Sequence, residues 1–253
     1  MAWRIASARS GNCRGVSLAS NLAFVCLLSG PVYAQDKGVQ GVVAPPSEEL
    51  QRAEDAKQPG FVLYGGVALT SNYVSDGVTQ TEDNPAVQGY LELESHGFYA
   101  GLWTSNVKFE GVDDNVEVDA YLGYRGETSA GLAYDIGYYR YFYDATGDCC
   151  GEMIAVLSGQ ATEKLGLESQ ITYDPEFDDY SIEFSPEYSF AEKWDASATL
   201  GYKHSLDGVY GDIGVTYAIS DTASLDLRYA DAQGDGNDGI VYLTLSLDAT
   251  LLE

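Results

Sequence analysis

Strict alternation of apolar and polar side chains over residues 180–190 is the feature that most constrains the fold of this chain. Successive side chains of a β-strand point to opposite faces, so this segment predicts a strand with one apolar and one polar face. Similar alternation recurs along most of the chain after residue 60, and the connections between segments tend to alternate between short and long. This combination predicts an all-β fold, namely a closed transmembrane antiparallel β-barrel of the outer-membrane type.

The first 34 residues have the features of a cleavable signal peptide. Three arginines precede an apolar region at residues 16–28, and a small-residue cleavage site follows at residues 32–34. No later segment approaches the roughly 18 consecutive apolar residues that a membrane-spanning helix needs. We therefore expect an exported protein that crosses the bacterial outer membrane with strands.

The charge balance narrows the choice of partners. The chain has 13 Lys+Arg and 39 Asp+Glu; three arginines belong to the signal peptide, so the mature chain keeps ten basic residues and a net charge of −29. Such a charge disfavours nucleic acid and Lys/Arg-driven docking onto anionic lipid. The expected partners are outer-membrane lipid and lipopolysaccharide, the barrel-assembly machinery and small hydrophilic solutes. The oligomeric state stays open.

The mature chain divides into a polar tail and a barrel. Residues 35–60 are rich in Pro, Gln and charged side chains, and we interpret them as a periplasmic tail or small plug. Residues 61–253 form the barrel, with both termini on the periplasmic side. Longer connections are expected at residues 75–85, 144–151 and 231–238. About twelve strands are predicted, near residues 61–74, 86–95, 98–109, 116–125, 131–143, 152–160, 165–173, 180–190, 195–203, 209–218, 224–230 and 239–248.

The polar faces of these strands predict the lining of the barrel. Unpaired buried charge is costly, and the chain has too few basic residues to neutralise so many carboxylates, so we expect a water-filled interior. A soluble β-sandwich would also alternate, but its turn lengths need not. Asp76 is expected at the entrance. The predicted pore-lining residues are Glu92, Glu94, Glu117, Asp119, Arg125, Glu183, Glu187, Asp226 and Arg228.

Two further groups could carry chemistry. Cys149 and Cys150 remain after cleavage and lie in the predicted 144–151 loop, as a strained vicinal disulfide, a pair of thiols or, least expected, metal ligands.

His204, with Ser205 and Asp207 nearby, is the candidate for a catalytic group, although neighbouring strand residues face opposite sides. Three acidic loop clusters could bind Ca²⁺ or Mg²⁺, namely Asp113 with Asp114, Asp178 with Asp179, and Asp231 with Asp235 and Asp238. The last cluster matches a calcium-binding loop poorly, because Tyr242 stands where that loop has Glu, so no metal and no cofactor are predicted.

Residues 71–80, 84–89 and 98–107 resemble the opening of the TorF-type porin family. The resemblance covers about residues 61–248 and implies an outer-membrane porin-like barrel whose substrate is undefined for the family as a whole. Family members often carry Arg at the position of Asp76, so this chain loses a positive charge at the first loop. The chain ends in Leu251, Leu252 and Glu253 rather than in a strand-final aromatic residue, so the usual assembly signal is absent or displaced to Tyr242.

These observations predict a non-enzymatic, passive outer-membrane channel. Its acidic lumen would favour cations or small neutral solutes. One alternative is a closed structural or adhesive barrel plugged by residues 35–59. Another is a hydrolase at the barrel rim that uses His204.

Overall fold

The computed structural model describes residues 60–233 and 239–252. The predicted signal peptide and all but the last residue of the predicted tail lie outside the described residues. The strands are β1 (Val62–Thr70), β2 (Val74–Ser75), β3 (Val78–Thr79), β4 (Ala86–Ser95), β5 (Phe98–Asn106), β6 (Val116–Glu127), β7 (Ala133–Tyr143), β8 (Gly147–Thr162), β9 (Leu165–Asp174), β10 (Asp179–Ala191), β11 (Trp194–Lys203), β12 (Gly208–Ser220), β13 (Ala223–Ala232) and β14 (Ile240–Leu252).

All strands except the short pair β2 and β3 belong to one closed barrel. Each strand pairs with its neighbours in sequence, β4 pairs with β1, and β1 closes the circle against β14. Every pairing is antiparallel. The predicted fold, a closed antiparallel barrel of twelve strands, is confirmed.

Among the described residues, no helix is long and apolar enough to cross a membrane.

The alternation of side chains sets the two faces of the wall, as β6 illustrates. Leu122 is 60% exposed on the outer face, whereas Glu117 and Asp119 are buried inside the barrel. Because side-chain direction repeats every two residues, the pairing register places apolar groups of neighbouring strands side by side on the outer surface. The outside of the barrel is therefore a continuous apolar band.

The two ends of the barrel differ in their connections. Residues 96–97, 128–132, 163–164, 192–193 and 221–222 make short turns at one end, here called the short-turn end. Most connections at the other end, the long-loop end, are longer, and the longest spans residues 71–85. The predicted long connection at residues 144–151 is wrong. Strand β8 begins at Gly147 because Tyr141 pairs with Cys150 and Phe142 with Asp148, which leaves Cys149 as an extra residue in a β-bulge.

Residues 71–85, here called the strap, contain the hairpin β2–β3. Asp76 and Gly77 form its two-residue turn, with φ values of 50° and 77°. Such a turn requires positive φ at both central residues, and the Asp-Gly pair suits it. A side chain on Gly77 would collide with the backbone of Asp231, so only glycine fits at this contact. The strap folds into the barrel, since most of its central residues are buried.

Candidate functional site: the barrel lumen

All nine predicted pore-lining residues lie on the inner face of the barrel, as the strand registers require. The structure also shows inward side chains that were not predicted from the sequence. Glu168 of β9 and Glu152 of β8 face inward, and Lys203 of β11 is the third inward basic side chain of the described strands. Further inward carboxylates are Asp135, Asp174, Asp195, Asp212 and Asp248.

Arg125 is surrounded by three carboxylates in the short-turn half of the lumen. Its Nη1 atom lies 2.9 Å from Glu92 Oε1 and 3.0 Å from Glu94 Oε2, and its Nε atom lies 3.4 Å from Asp135 Oδ2. The guanidinium also stacks over the Tyr99 ring, 4.0 Å from the ring centre. One positive charge therefore faces three carboxylates.

Arg228 forms a second such cluster across the lumen. Its guanidinium binds Asp212 through Nη1, lies 3.1 Å from Asp226 Oδ2 and donates to Ser197 Oγ at 2.8 Å. Thr216 donates to Asp226 at 2.8 Å, which orients that carboxylate toward the guanidinium. Both predicted basic pore residues are therefore held by carboxylates and are outnumbered by them.

A third acidic group spans β9 and β10. Glu168 lies close enough to Glu183 and Glu187 for their charges to interact. Glu183 also accepts a 2.5 Å hydrogen bond from the Tyr210 hydroxyl. Glu187 and Ser189 border a polar cleft of about 360 Å³ at the short-turn end. Glu187 is half-buried, so this part of the lumen is accessible to water.

Glu117 and Asp119 lie in a different environment, beneath the strap. Glu117 is fully buried and accepts a 2.9 Å hydrogen bond from the Tyr143 hydroxyl. Its carboxylate also lies close enough to Tyr73 of the strap for an electrostatic interaction. Asp119 is 5% exposed, and one of its carboxylate oxygens lacks a hydrogen-bond partner. These two predicted pore-lining residues face the lumen but are covered in this structure.

Aromatic side chains fill the lumen beside β5, β6 and β7. Tyr121 stacks on Tyr139 with 5.0 Å between ring centres, and Tyr73 of the strap packs edge-on against Trp103 at 5.6 Å. Tyr141 is almost completely buried and donates to Glu152 at 2.9 Å. The Tyr141 hydroxyl therefore satisfies one oxygen of the buried Glu152 carboxylate, while the rings exclude water.

The strap crosses the lumen from this aromatic wall to the opposite wall. The barrel order places β5, which carries Trp103, six strands away from β11, which carries Lys203. Asp76 at the hairpin tip lies 2.6 Å from Lys203 Nζ, and both side chains are at most 5% exposed. Asp76, predicted at the entrance, is therefore enclosed inside the long-loop half of the barrel.

The lumen consequently has two halves. At the short-turn end most inward side chains are partly exposed and line an open space, here called the vestibule. Toward the long-loop end they are buried around the circumference, including Gln88, Glu152, Thr172, Ser181 and Tyr210. A water-filled interior therefore stays a prediction for the vestibule, because the strap fills the other half.

Cys149 and Cys150 are not joined by a disulfide. The two neighbouring side chains lie close enough to interact with each other. Cys150 is buried among the aromatic side chains, and Cys149 lies beside this cluster. The prediction that both lie in a polar loop is wrong, because the bulge in β8 lets this strand continue to the rim and turns Cys150 into the barrel.

His204 does not form a catalytic arrangement with its neighbours. Its ring stacks on Tyr180 with 4.9 Å between ring centres. The Ser205 amide donates to Asp179, and the Asp207 amide donates to the His204 carbonyl, so neither contact activates a hydroxyl. These residues cap a turn.

Two described members of the acidic loop clusters accept hydrogen bonds from backbone amides. Asp114 binds the β7–β8 turn, and Asp179 binds the Ser205 amide. Asp235 and Asp238 lie outside the described residues. Within residues 60–233 and 239–252, no group of three or more His, Cys, Asp or Glu side chains is placed to hold a metal ion.

Comparisons with known proteins give one family and one fold. A family model described as "Bacterial protein of unknown function (Gcw_chp)" matches residues 54–244. No curated protein matches the chain significantly. The KdgM porin structure has a TM-score of 0.53 and 8% identity, over 76% of this chain and 99% of that one. The COG4313 outer membrane channel from Pseudomonas putida F1 has a TM-score of 0.44 and 10% identity, over 76% of this chain and 96% of that one.

At such low identity the structural likeness extends to the fold alone. The outer-membrane porin fold agrees with the predicted architecture. The TorF-type resemblance stays a prediction beside the Gcw_chp match.

Proposed function

The chain belongs to the Gcw_chp family of bacterial proteins, and we propose that it is a passive outer-membrane channel that favours cations or small neutral solutes. The observation that carries this proposal is the charge of the inner face. Almost every described barrel strand carries at least one carboxylate that faces inward. The same strands carry three basic side chains that face inward, namely Arg125, Lys203 and Arg228.

The arrangement of these charges supports a negative lumen. Arg125 contacts three carboxylates, and Arg228 contacts Asp212 and Asp226, so each cluster carries an excess of negative charge when its groups are ionised. Low-dielectric walls focus such a field on ions in a narrow pore, and rings of Asp or Glu favour cations. Asp76 and Lys203 neutralise each other at the strap.

The outer surface supports a membrane location. Apolar side chains such as Leu122, Ile213 and Val241 are more than half exposed on the outside. Aromatic rings occur near both ends, with Phe98 and Tyr124 in contact at the short-turn end and Tyr180 and His204 at the other. In bacterial barrels the short turns face the periplasm, so the vestibule would open to the periplasm and the strap would face outward.

The proposal is tested with the purified mature protein in planar bilayers. We expect discrete conductance steps and, in a KCl gradient, a reversal potential of the sign given by cation permeation. The heat-modifiable gel shift of closed barrels serves as the control for folding in each preparation. Folded protein that never conducts, or that conducts anions preferentially, would contradict the proposal.

A closed structural barrel is the second candidate, and the sealed long-loop half favours it. Its plug would be the strap rather than the predicted residues 35–59, which lie outside the described residues. Solute uptake by vesicles separates the candidates, because a permanently closed barrel gives no swelling with small neutral sugars, whereas a channel that opens does.

A further inference from the structure

The strap is an internally bonded unit. The Asn72 side chain donates to Asp83 at 2.8 Å and accepts hydrogen bonds from Thr79 at 2.6 Å and Thr81 at 3.1 Å. Inside the lumen the backbone of Gln80 donates to Tyr73 at 2.6 Å. Because these bonds lie within residues 71–85, the strap can keep its shape while its position relative to the wall changes.

Its attachments to the barrel are uneven. On the near side, Ser71 exchanges hydrogen bonds with Leu243, and the Lys108 amide donates to Gln80 at 2.8 Å. On the far side, the tip reaches β11 through the Asp76–Lys203 ion pair and passes the backbone of Asp231 at Gly77. A displacement of the tip therefore has to break one buried ion pair.

The closed position also has a desolvation cost. Four of the buried polar atoms without a hydrogen-bond partner lie on the strap or on the wall that it covers: Ser75 Oγ, Asp76 Oδ1, Glu117 Oε2 and Asp119 Oδ1. The last two belong to side chains whose charges interact with Tyr73 of the strap. Buried polar atoms that lack partners lose the hydrogen bonds that water would supply. Movement of the strap out of the lumen would hydrate all four atoms.

We propose that the strap is a gate at the outer end of the lumen and that the Asp76–Lys203 ion pair is its latch. The closed state is stabilised by this pair and by the packing of Tyr73 on Trp103, and it is opposed by the burial of the four oxygens without a hydrogen-bond partner. A buried ion pair defines one position sharply while contributing modest net stability, which suits a latch. Opening joins the acidic vestibule to the outside and uncovers Glu117 and Asp119. The gate regulates the channel proposed above and rests on that function.

The test measures the position of the strap separately from conduction. Ser75→Cys is placed in a Cys149→Ala, Cys150→Ala background, and its reaction with a soluble maleimide is followed in detergent micelles. Ser75 is 2% exposed, so labelling should be slow. Lys203→Met removes the latch charge and should accelerate labelling at least about tenfold, as expected when a buried ion pair is broken. Single-channel open probability should rise in parallel.

Further variants separate the latch from general damage. Asp76→Asn keeps the shape of the tip and should act like Lys203→Met, so the test does not depend on one variant assembling. The exchange Asp76→Lys with Lys203→Asp should restore slow labelling. Lys193→Met, an exposed turn residue, should leave the rate unchanged. Slow labelling of Ser75→Cys in both folded single variants would overturn the latch. Fast labelling without any conductance would retain the latch and reject the channel.

Discussion

Asp114 and Asp144 each accept hydrogen bonds from the backbone beside the other. Asp114 Oδ1 accepts the amides of Ala145 and Thr146 at 2.9 and 2.8 Å, and Asp144 Oδ1 accepts those of Asn115 and Val116 at 2.7 and 3.1 Å. The two carboxylates therefore join the β5–β6 and β7–β8 connections at the long-loop end. This contact gives Asp114, a member of the acidic loop clusters, a structural role.

Asp144 makes this contact sensitive to pH. The amides of Asn115 and Val116 stabilise its ionised form and lower the pKa of the Asp144 carboxyl below the usual value, which is about 3.9 for Asp. Because the folded-state pKa is depressed, the contribution is complete above the unfolded pKa and is lost as pH falls through the folded pKa. An NMR titration of the Asp144 carboxyl carbon should give a midpoint below the usual value. A midpoint at or above it would contradict the contact, and Asp144→Asn, which cannot titrate, identifies the signal.

Arg125 should stabilise the barrel through its three carboxylates. Arg125→Met keeps much of the aliphatic stem and leaves Glu92, Glu94 and Asp135 facing one another. We expect a loss of about 1.5–3 kcal/mol, the range for hydrogen bonds to charged groups. Urea unfolding in lipid vesicles measures the change. Lys164→Met, at an exposed turn, is the matched control and should be nearly neutral; equal losses in both variants would reject the cluster as a source of stability.

The adjacent cysteines should differ in their response to serine. Cys150→Ser places a hydroxyl among buried aromatic rings and should cost about 1–3 kcal/mol. Cys149→Ser changes a more accessible bulge residue and should cost less than about 1 kcal/mol. The same unfolding assay compares the two. A neutral Cys150→Ser would place that side chain outside the core cluster.

A charged substitution on the outer face should destabilise the barrel more near the middle of a strand than near its end. Leu122 lies near the middle of β6 and Val116 at its long-loop end, and both point outward. Leu122→Arg should destabilise the barrel in a bilayer by about 2–4 kcal/mol, and Val116→Arg by about 0–1 kcal/mol. Equal costs would mean that β6 does not cross the hydrocarbon region.

Much of the fold could be predicted because the alternation of apolar and polar side chains within each strand shows which face of the barrel wall each residue is on. A period of two assigns each residue to a face without knowledge of its partners, and the burial of the strands alternates with the same period. The start of β8 was missed because a bulge at Cys149 shifts the period where polar residues resemble a loop. The strap hairpin was missed as well, although Asp76-Gly77 is a hairpin turn signal.

The state of each lumen residue was harder to predict. The sequence predicts which side chains face inward. It does not show that Glu117 is covered while Glu187 remains accessible, because this difference depends on where residues 71–85 fold. The Asp76–Lys203 pair joins residues 127 positions apart. Such a contact depends on barrel closure and strand order, which local patterns do not specify.

The central claim is that the lumen is acidic and selects cations. Its most direct test is the reversal potential of the open channel in a KCl gradient, compared with the Glu168→Gln, Glu187→Gln variant of the accessible vestibule. We expect cation selectivity that weakens at high salt and is reduced in the variant. Glu117→Gln with Asp119→Asn should reduce it only in openings that move the strap. Anion selectivity, or a reversal potential that the vestibule substitutions leave unchanged, would contradict the account.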